Sequence, residues 1–394
     1  MLPLRTRRTL PSALALCLAL TVVTTTARDA QALQVATTLD TAGDVVAVEP
    51  LDESLWIPDA TGSAYRLTYR TVDAHGQSAL STGALFVPQG DPPADGWPVV
   101  AWAHGTVGLG DECAPSAHPR SDRDATYLAT WMHEGHAVLA SDYAGLGTPG
   151  LMAYLDGRST AANITDLVLA ARSTAAGLPP QARLDDEWVV IGQSQGAGAA
   201  IQAARYATED GGAALDFRGA VATGTPARIE RLVQRIGANV PPVPLPGALN
   251  AYVIYILAGF RWAHPEVDVD SLLTPAGERY LALAETECLA GMITRTAAAP
   301  IGTFFSKRLS SLPGFRDALF DYLAMPESGF DRPFFMGHGL LDTDVPLVLT
   351  QPYVSALRRN HQPLTWKTYP TTHSGTMKAS LPDTLPFVRK LFAG

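Results

Sequence analysis

The chain has 394 residues, 47% hydrophobic and 17% charged, with a formal net charge of −9. That length and balance describe a globular protein with a large core, longer than one minimal domain. An acidic chain has no general attraction for nucleic acid or for an anionic membrane, so polyanion-binding classes are set aside and no nucleic-acid partner is expected.

Residues 1–32 read as a signal peptide. Arg5, Arg7 and Arg8 precede an apolar stretch at 10–23, and small residues offer cleavage after Ala27 or after Ala32. The stretch is too short, and at its end too rich in threonine, to read as a membrane span. The pair Arg7-Arg8 leaves a twin-arginine export route open. The segment carries four arginines and one aspartate, so its removal takes away a net +3 and leaves −12. The expected location is outside the cytoplasm, extracellular or periplasmic. Cys17 falls in the removed stretch, and Cys113 and Cys288 remain. In an oxidising compartment they read as one disulfide, the alternative being two unrelated buried thiols.

Residues 33–60 lack clear periodicity and read as a surface-hugging lead-in. Residues 64–70 alternate as a half-exposed strand, and 79–87 form its antiparallel partner across a turn at His75-Gly76. A buried strand at 97–103 ends in His104-Gly105-Thr106-Val107-Gly108, and a helix is expected over 121–135. Another buried strand at 137–140 ends in Ser141-Asp142-Tyr143-Ala144-Gly145-Leu146-Gly147. Helical spacing of Ile164, Leu167, Val168 and Ala171 marks a helix over 160–176. A strand at 187–191, a helix opening at 195 and a short strand at 219–223 follow. This alternation implies a mostly parallel sheet with helices on both faces, an α/β fold.

The rhythm breaks after Pro226. Residues 227–330 show helical apolar patterns and no clear strand, which reads as an inserted helical cap. Within it, 241–246 is a proline-rich extended connector, and 252–258 is very apolar yet too short to span a bilayer. The sheet resumes at 333–337, with a helix over 347–360, a last strand at 364–369 and a closing helix over 382–392. The expected organisation is 33–226 as the first part of the core, 227–330 as the cap and 331–394 as the second part of the core.

The chemistry centres on Gly192-Gln193-Ser194-Gln195-Gly196. Where a strand runs straight into a helix through such a turn, the central residue is strained and its side chain stands clear at the carboxyl end of the sheet. Ser194 is therefore the candidate nucleophile. A serine hydroxyl needs a base, and the base needs a partner that fixes its tautomer. His373 follows the last strand in a loop of Thr, Ser and Gly, and is preferred to His361, which sits at the opposite end of a strand. The acid is Asp342 or Asp344, both just beyond a strand. Asp342 is nearer the strand end, and Asp344 is suited to capping the following helix. Oxyanion donors are expected from the backbone N–H of Gln195 and of Thr106.

Other features carry less. His133 and His136 lack the spacing of a zinc motif, so no metal is expected. Asn163-Ile164-Thr165 is a glycosylation sequon inside an expected helix. His104 is expected to be structural and Asp142 a turn-former.

Together, His104-Gly105-Thr106, Cys113-Ala114-Pro115-Ser116, the segments 141–147 and 192–196, and His338-Gly339-Leu340-Leu341-Asp342-Thr343-Asp344-Val345-Pro346 resemble the secretory lipase family, over about residue 60 to the end. This is a branch of the α/β-hydrolases with fungal and actinobacterial members. The resemblance implies an α/β-hydrolase fold with a helical lid, carboxylic ester hydrolysis, and neither metal nor cofactor. It places the acid on Asp342 and implies a Cys113–Cys288 bridge that staples the oxyanion loop to the cap. A fungal member has a second bridge near its C-terminus, for which this chain lacks the cysteines.

The leading expectation is an exported serine ester hydrolase, lipase or lipase-like, acting on acyl esters or lipid with a lipid–water interface as a candidate surface and no protein partner implied. Alternatives are a peptidase, amidase or polyester hydrolase using the same triad, or a silent hydrolase fold that binds a ligand.

Overall fold

The computed structural model describes residues 41–238, 240–241, 245 and 248–394. The expected signal peptide and most of the proline-rich connector lie outside the described residues. Nine strands form one sheet in the order β1-β2-β3-β5-β4-β6-β7-β8-β9. They are β1 Val45–Pro50, β2 Thr61–Val72, β3 Ser78–Pro88, β4 Trp97–Ala103, β5 Ala137–Ser141, β6 Leu184–Gln193, β7 Asp216–Thr223, β8 Phe334–Gly339 and β9 Leu364–Tyr369. The first three strands and the β3–β5 pair are antiparallel, and every pairing from β5 through β4, β6, β7 and β8 to β9 is parallel.

β1 was not expected, because the lead-in lacks clear periodicity. Its burial alternates only loosely, and it pairs with β2 alone, through a register shift between Val45 and Ala47. Edge strands answer to one neighbour, so their sequence pattern is weak.

The parallel strands are buried on both faces, which is why they read as continuous apolar runs. In β6 the side chains divide by parity. Trp188 and Val190 join the core on one face, and Val189 and Ile191 join the core on the other. Each such side chain contributes roughly 1.5–3 kcal/mol on burial, so a one-residue slip of β6 would place every one of them wrongly.

Helices cover both faces: α1 Asp122–His133, α2 Gly157–Arg172 and α3 Gln195–Gly211 between the strands, and α9 Leu347–Arg359 and α10 Thr376–Phe392 at the end, with further helices between β7 and β8. α1 opens on the Ser121 hydroxyl, which accepts the Asp124 N–H. α3 presents Ala197, Ala200, Ala203, Ala204 and Ala207 to the core, all buried, so its backbone lies close against the sheet. α10 begins earlier than expected and carries Pro382 and Pro386 within it.

Between β7 and β8 the described residues hold α4 Glu230–Val233, α5 Leu249–Ala263, α6 Pro275–Ala284, α7 Leu289–Thr296 and α8 Phe315–Leu323, with isolated bridges and no strand. The apolar run at 252–258 is the middle of α5, where Ile254, Tyr255, Leu257 and Ala258 are buried. Among the described residues no helix is long and apolar enough to cross a membrane.

Candidate active site

Five loops leave the carboxyl ends of the parallel strands β5, β4, β6, β8 and β9 on one edge of the sheet. Ser194 sits between β6 and α3 with φ 59° and ψ −120°. A non-glycine residue in such a region costs on the order of 1–3 kcal/mol and persists only where its surroundings impose it. Here the Ser194 N–H donates to Thr223 O at 2.9 Å, and its carbonyl accepts from Ala197 N–H at 2.9 Å and Gly198 N–H at 3.2 Å. The turn is closed by contact as well. A Cβ on Gly196 would lie 1.9 Å from Ala103 O, and one on Gly192 would lie 2.0 Å from Gly196 O. Both flanking residues must therefore be glycine, and the elbow is locked against the end of β4.

His373, after β9, places Nδ1 at 2.7 Å from Asp342 Oδ2. The carboxylate only accepts, so Nδ1 carries the proton and Nε2 is left as the free lone pair. That Nε2 is buried and has no hydrogen-bond partner among the described residues, the Ser194 hydroxyl included. It belongs to a residue lining the same cavity as Ser194. Asp342 is fixed in turn: its Oδ1 accepts Asp344 N–H at 3.0 Å and Val345 N–H at 2.7 Å.

His338 adds a contact that the sequence did not suggest. Its Nε2 donates to Val345 O at 2.8 Å and lies 3.5 Å from Asp342 Oδ2. Burial holds its imidazole below the ordinary value, so it stays neutral and does not compete for the carboxylate as a cation. The signal was in the segment that carries Asp342, where the histidine is four residues ahead of the acid.

Gly105 is in contact range of Ser194: a Cβ there would lie 3.8 Å from Ser194 Cβ. Neither the Thr106 N–H nor the Gln195 N–H has a hydrogen-bond partner among the described residues. Gln195 is the first residue of α3, where N–H groups are left open and the helix dipole is positive. The arrangement offers two unoccupied backbone donors in the loops next to the serine.

The loop that carries Thr106 is anchored twice. Asp142, fully buried, accepts the Ser116 N–H at 2.8 Å, the Thr82 hydroxyl at 2.6 Å and the Ser116 hydroxyl. It is thus more than the turn-former expected: it ties β3 and the 111–117 loop to the end of β5. Cys113 in that loop is bonded to Cys288, with Cα atoms 5.4 Å apart. Cys288 is the residue before α7, and Leu289 N–H donates to Val107 O at 2.7 Å. His104 stacks on Tyr143 with ring centroids 4.3 Å apart, a structural placement.

The rival residues lie elsewhere or act differently. His361 is exposed, at the opposite end of β9, with φ 53°. Asp344 does not cap α9, whose N-cap is Pro346 with no side-chain bond. Instead its backbone serves Asp342 while its side chain lines the cavities. His136 stacks on Phe392 and His133 contacts Asp59 O, so the two rings have separate partners. Asn163 is buried. Its amide donates to the Thr71 hydroxyl at 2.8 Å and to Val72 O at 2.9 Å, and its oxygen accepts Ala144 N–H at 2.8 Å.

Two cavities meet at Ser194. One, about 480 Å³, is the more polar of the two and includes Thr106, His118, Arg120, Arg123, Asp124 and His373. The other, about 160 Å³, is apolar and includes Leu155, Ile229, Leu232, Val253, Ile256 and Leu349. A larger cavity of about 630 Å³ lies around Asp156, Arg158 and Tyr206 and touches none of Ser194, Asp342 or His373.

The sequence matches no family model and no curated protein. Solved structures do match. Candida antarctica lipase A in its closed state superposes with a TM-score of 0.73 at 19% identity, covering 90% of this chain and 83% of that one. A ligand-bound form of the rice cell wall degrading esterase LipA from Xanthomonas oryzae gives 0.70 at 18% identity, covering 89% of this chain and 98% of that one. This chain has the α/β-hydrolase fold. Within this fold, Ser194, Asp342 and His373 follow one another in the order serine, acid, histidine, each beyond the end of a strand.

Proposed function

We propose that this α/β-hydrolase is an exported serine hydrolase that cleaves carboxylic esters of apolar acids, a lipase or lipase-like esterase. The observation that carries it is the buried, unpartnered Nε2 of His373, held by Asp342 and lining one cavity with Ser194. In this reading Ser194 Oγ attacks the ester carbonyl and His373 Nε2 takes its proton. The resulting imidazolium is stabilised by Asp342 and then protonates the departing alcohol. The Gln195 and Thr106 N–H groups receive the oxyanion. Water, activated by the same imidazole, releases the acid and restores the serine.

The apolar cavity suits the acyl chain and the polar cavity the alcohol. Both solved neighbours carry names of ester-cleaving enzymes, a lipase and an esterase. Leu232, Leu340, Leu341 and Val348 are exposed. Leu232 walls the apolar cavity and Val348 lies between its wall residues Pro346 and Leu349, a rim suited to a lipid–water interface. Residues 227–330 act as the cap that supplies most of the apolar wall. Export agrees with the Cys113–Cys288 bridge, since such bonds persist in oxidising compartments.

The test is labelling by a fluorophosphonate probe, together with hydrolysis of p-nitrophenyl esters of graded acyl length against aminoacyl amides. Wild type should be labelled and should prefer esters. Ser194→Ala should lose both labelling and turnover while keeping its thermal midpoint. Wild-type-like hydrolysis by the alanine variant would refute the reading, and faster amide than ester cleavage would move it to a peptidase.

A further inference from the structure

The hydroxyls of Thr106 and Tyr154 share a hydrogen bond of 2.5 Å, to which ester cleavage as described assigns no task. Thr106 walls the polar cavity, Tyr154 walls the apolar one, and Ser194 walls both. The bonded pair therefore lies at the seam where the cavities meet, beside the reacting hydroxyl.

Tyr154 is held there from behind. It is buried, and its carbonyl accepts the Tyr322 hydroxyl at 2.7 Å. A Cβ on Gly259 of α5 would fall 2.5 Å from Tyr154 N and 2.6 Å from the Tyr322 hydroxyl, so the helix passes close enough to clamp it. The next residue, Leu155, has φ 70°. A left-handed leucine costs roughly 1–2 kcal/mol, and the packing around Tyr154 imposes it.

The direction of the hydrogen bond follows from chemistry. Among the described residues the phenol has no other hydrogen-bond partner for its hydroxyl, and burial pushes its ionisation up, so it stays protonated. A phenolic O–H is the more acidic donor of the two. When it donates to Thr106 Oγ1, the threonine's own proton is free to turn towards a third group, and the Thr106 backbone N–H is open as well.

We propose that Thr106 supplies two donors to the developing oxyanion, its N–H and its hydroxyl, and that Tyr154 is the positioning residue that turns and polarises that hydroxyl. The proposal rests on the acyl-transfer reading above. No proton changes owner: the Thr106 O–H···O bond shortens as charge builds on the carbonyl oxygen, and the Tyr154 O–H···O bond shortens with it.

The test uses the full exported chain and a soluble p-nitrophenyl ester, with kcat and KM measured separately and thermal midpoints recorded. Thr106→Ser should keep kcat within a few-fold of wild type. Thr106→Val should lower kcat about 10²-fold, the scale of one lost oxyanion donor, with KM little changed. Tyr154→Phe should lower kcat roughly tenfold, the scale of one neutral hydrogen bond, again without a matching rise in KM. The double variant should be no worse than Thr106→Val alone, because Tyr154 acts only through that hydroxyl. Wild-type kcat in Tyr154→Phe, or losses that multiply in the double variant, would overturn the positioning role. Wild-type kcat in Thr106→Val would overturn the hydroxyl donor even if the tyrosine variant did not fold. Turnover surviving in Ser194→Ala is a separate failure, of the acyl-transfer reading itself.

Discussion

His373 Nδ1 and Asp342 Oδ2 lie 2.7 Å apart, and the same carboxylate is pinned through its other oxygen by two backbone N–H groups. The ring is thereby held in one tautomer, with its lone pair facing the cavity. Asp342→Asn keeps the shape but offers Nδ1 the wrong partner. Turnover of a soluble ester should fall by about 10⁴-fold, as expected when a triad acid is made an amide. Asp344→Asn should keep most of its kcat, because only its backbone reaches the carboxylate. If the two variants lost activity equally, the acid would be misassigned.

Cys113 and Cys288 are separated by 175 residues in sequence. In the chain-entropy model a closed loop of that size contributes about 5 kcal/mol. Cys113→Ser/Cys288→Ser should therefore shift the denaturant midpoint down strongly and steepen the slope, because the uncrosslinked unfolded chain exposes more surface. Activity should fall at temperatures where the fold persists, because the loop carrying Thr106 loses its tether to α7. Thiol titration of the native wild type should find neither of the two cysteines reactive, and two free thiols would remove the bridge from the account.

The apolar cavity beside Ser194 is small, about 160 Å³, and Ile229 is one of its walls. Ile229→Trp adds bulk there without touching the reacting groups. The optimum acyl length should shorten, with a KM increase confined to the longer esters. An unchanged length profile would place the acyl chain elsewhere, the polar cavity being the next candidate.

His136 is buried, stacked on Phe392, with Nδ1 lacking a partner among the described residues. Burial pushes its pKa down from the ordinary 6.5 to about 4, with Glu134 pulling it up and Arg389 pushing it down. Between those values the unfolded chain binds a proton that the native chain excludes. Its stability contribution is therefore present above pH 6.5 and is lost as pH falls towards 4, by on the order of 3 kcal/mol. Asp166, raised by burial to about 6, works in the opposite sense between 3.8 and 6. The difference between wild type and His136→Phe isolates the imidazole: the variant's denaturation free energy should fall less over pH 6.5 to 4. Parallel curves would show that His136 does not titrate this way.

What the sequence made legible was whatever is local or patterned. The strand–turn–helix at Ser194 is visible because the glycine and alanine requirements fall within a dozen residues. The runs of β4, β5 and β6 are visible because burial on both faces leaves them unbroken. β1 was missed because an edge strand meets one neighbour, and Asp142 was under-read because its partners Thr82 and Ser116 are distant in sequence. The Thr106–Tyr154 bond was beyond reach for the same reason. It joins two loops whose approach depends on α5 and the turn at Leu155, and nothing in either loop announces the other.

Asn163 sits in a sequon, yet its amide is spent on Thr71, Val72 and Ala144 inside the packed interior. An oligosaccharide on that nitrogen could not coexist with the closed hairpin. Production through a eukaryotic secretory route thus sets up a race between sugar transfer to the nascent chain and burial of the side chain. Molecules that lose the race are the ones retained and degraded. Asn163→Gln would escape the transferase only by lengthening a side chain in a full pocket, so a bacterial host is the cleaner source of this protein.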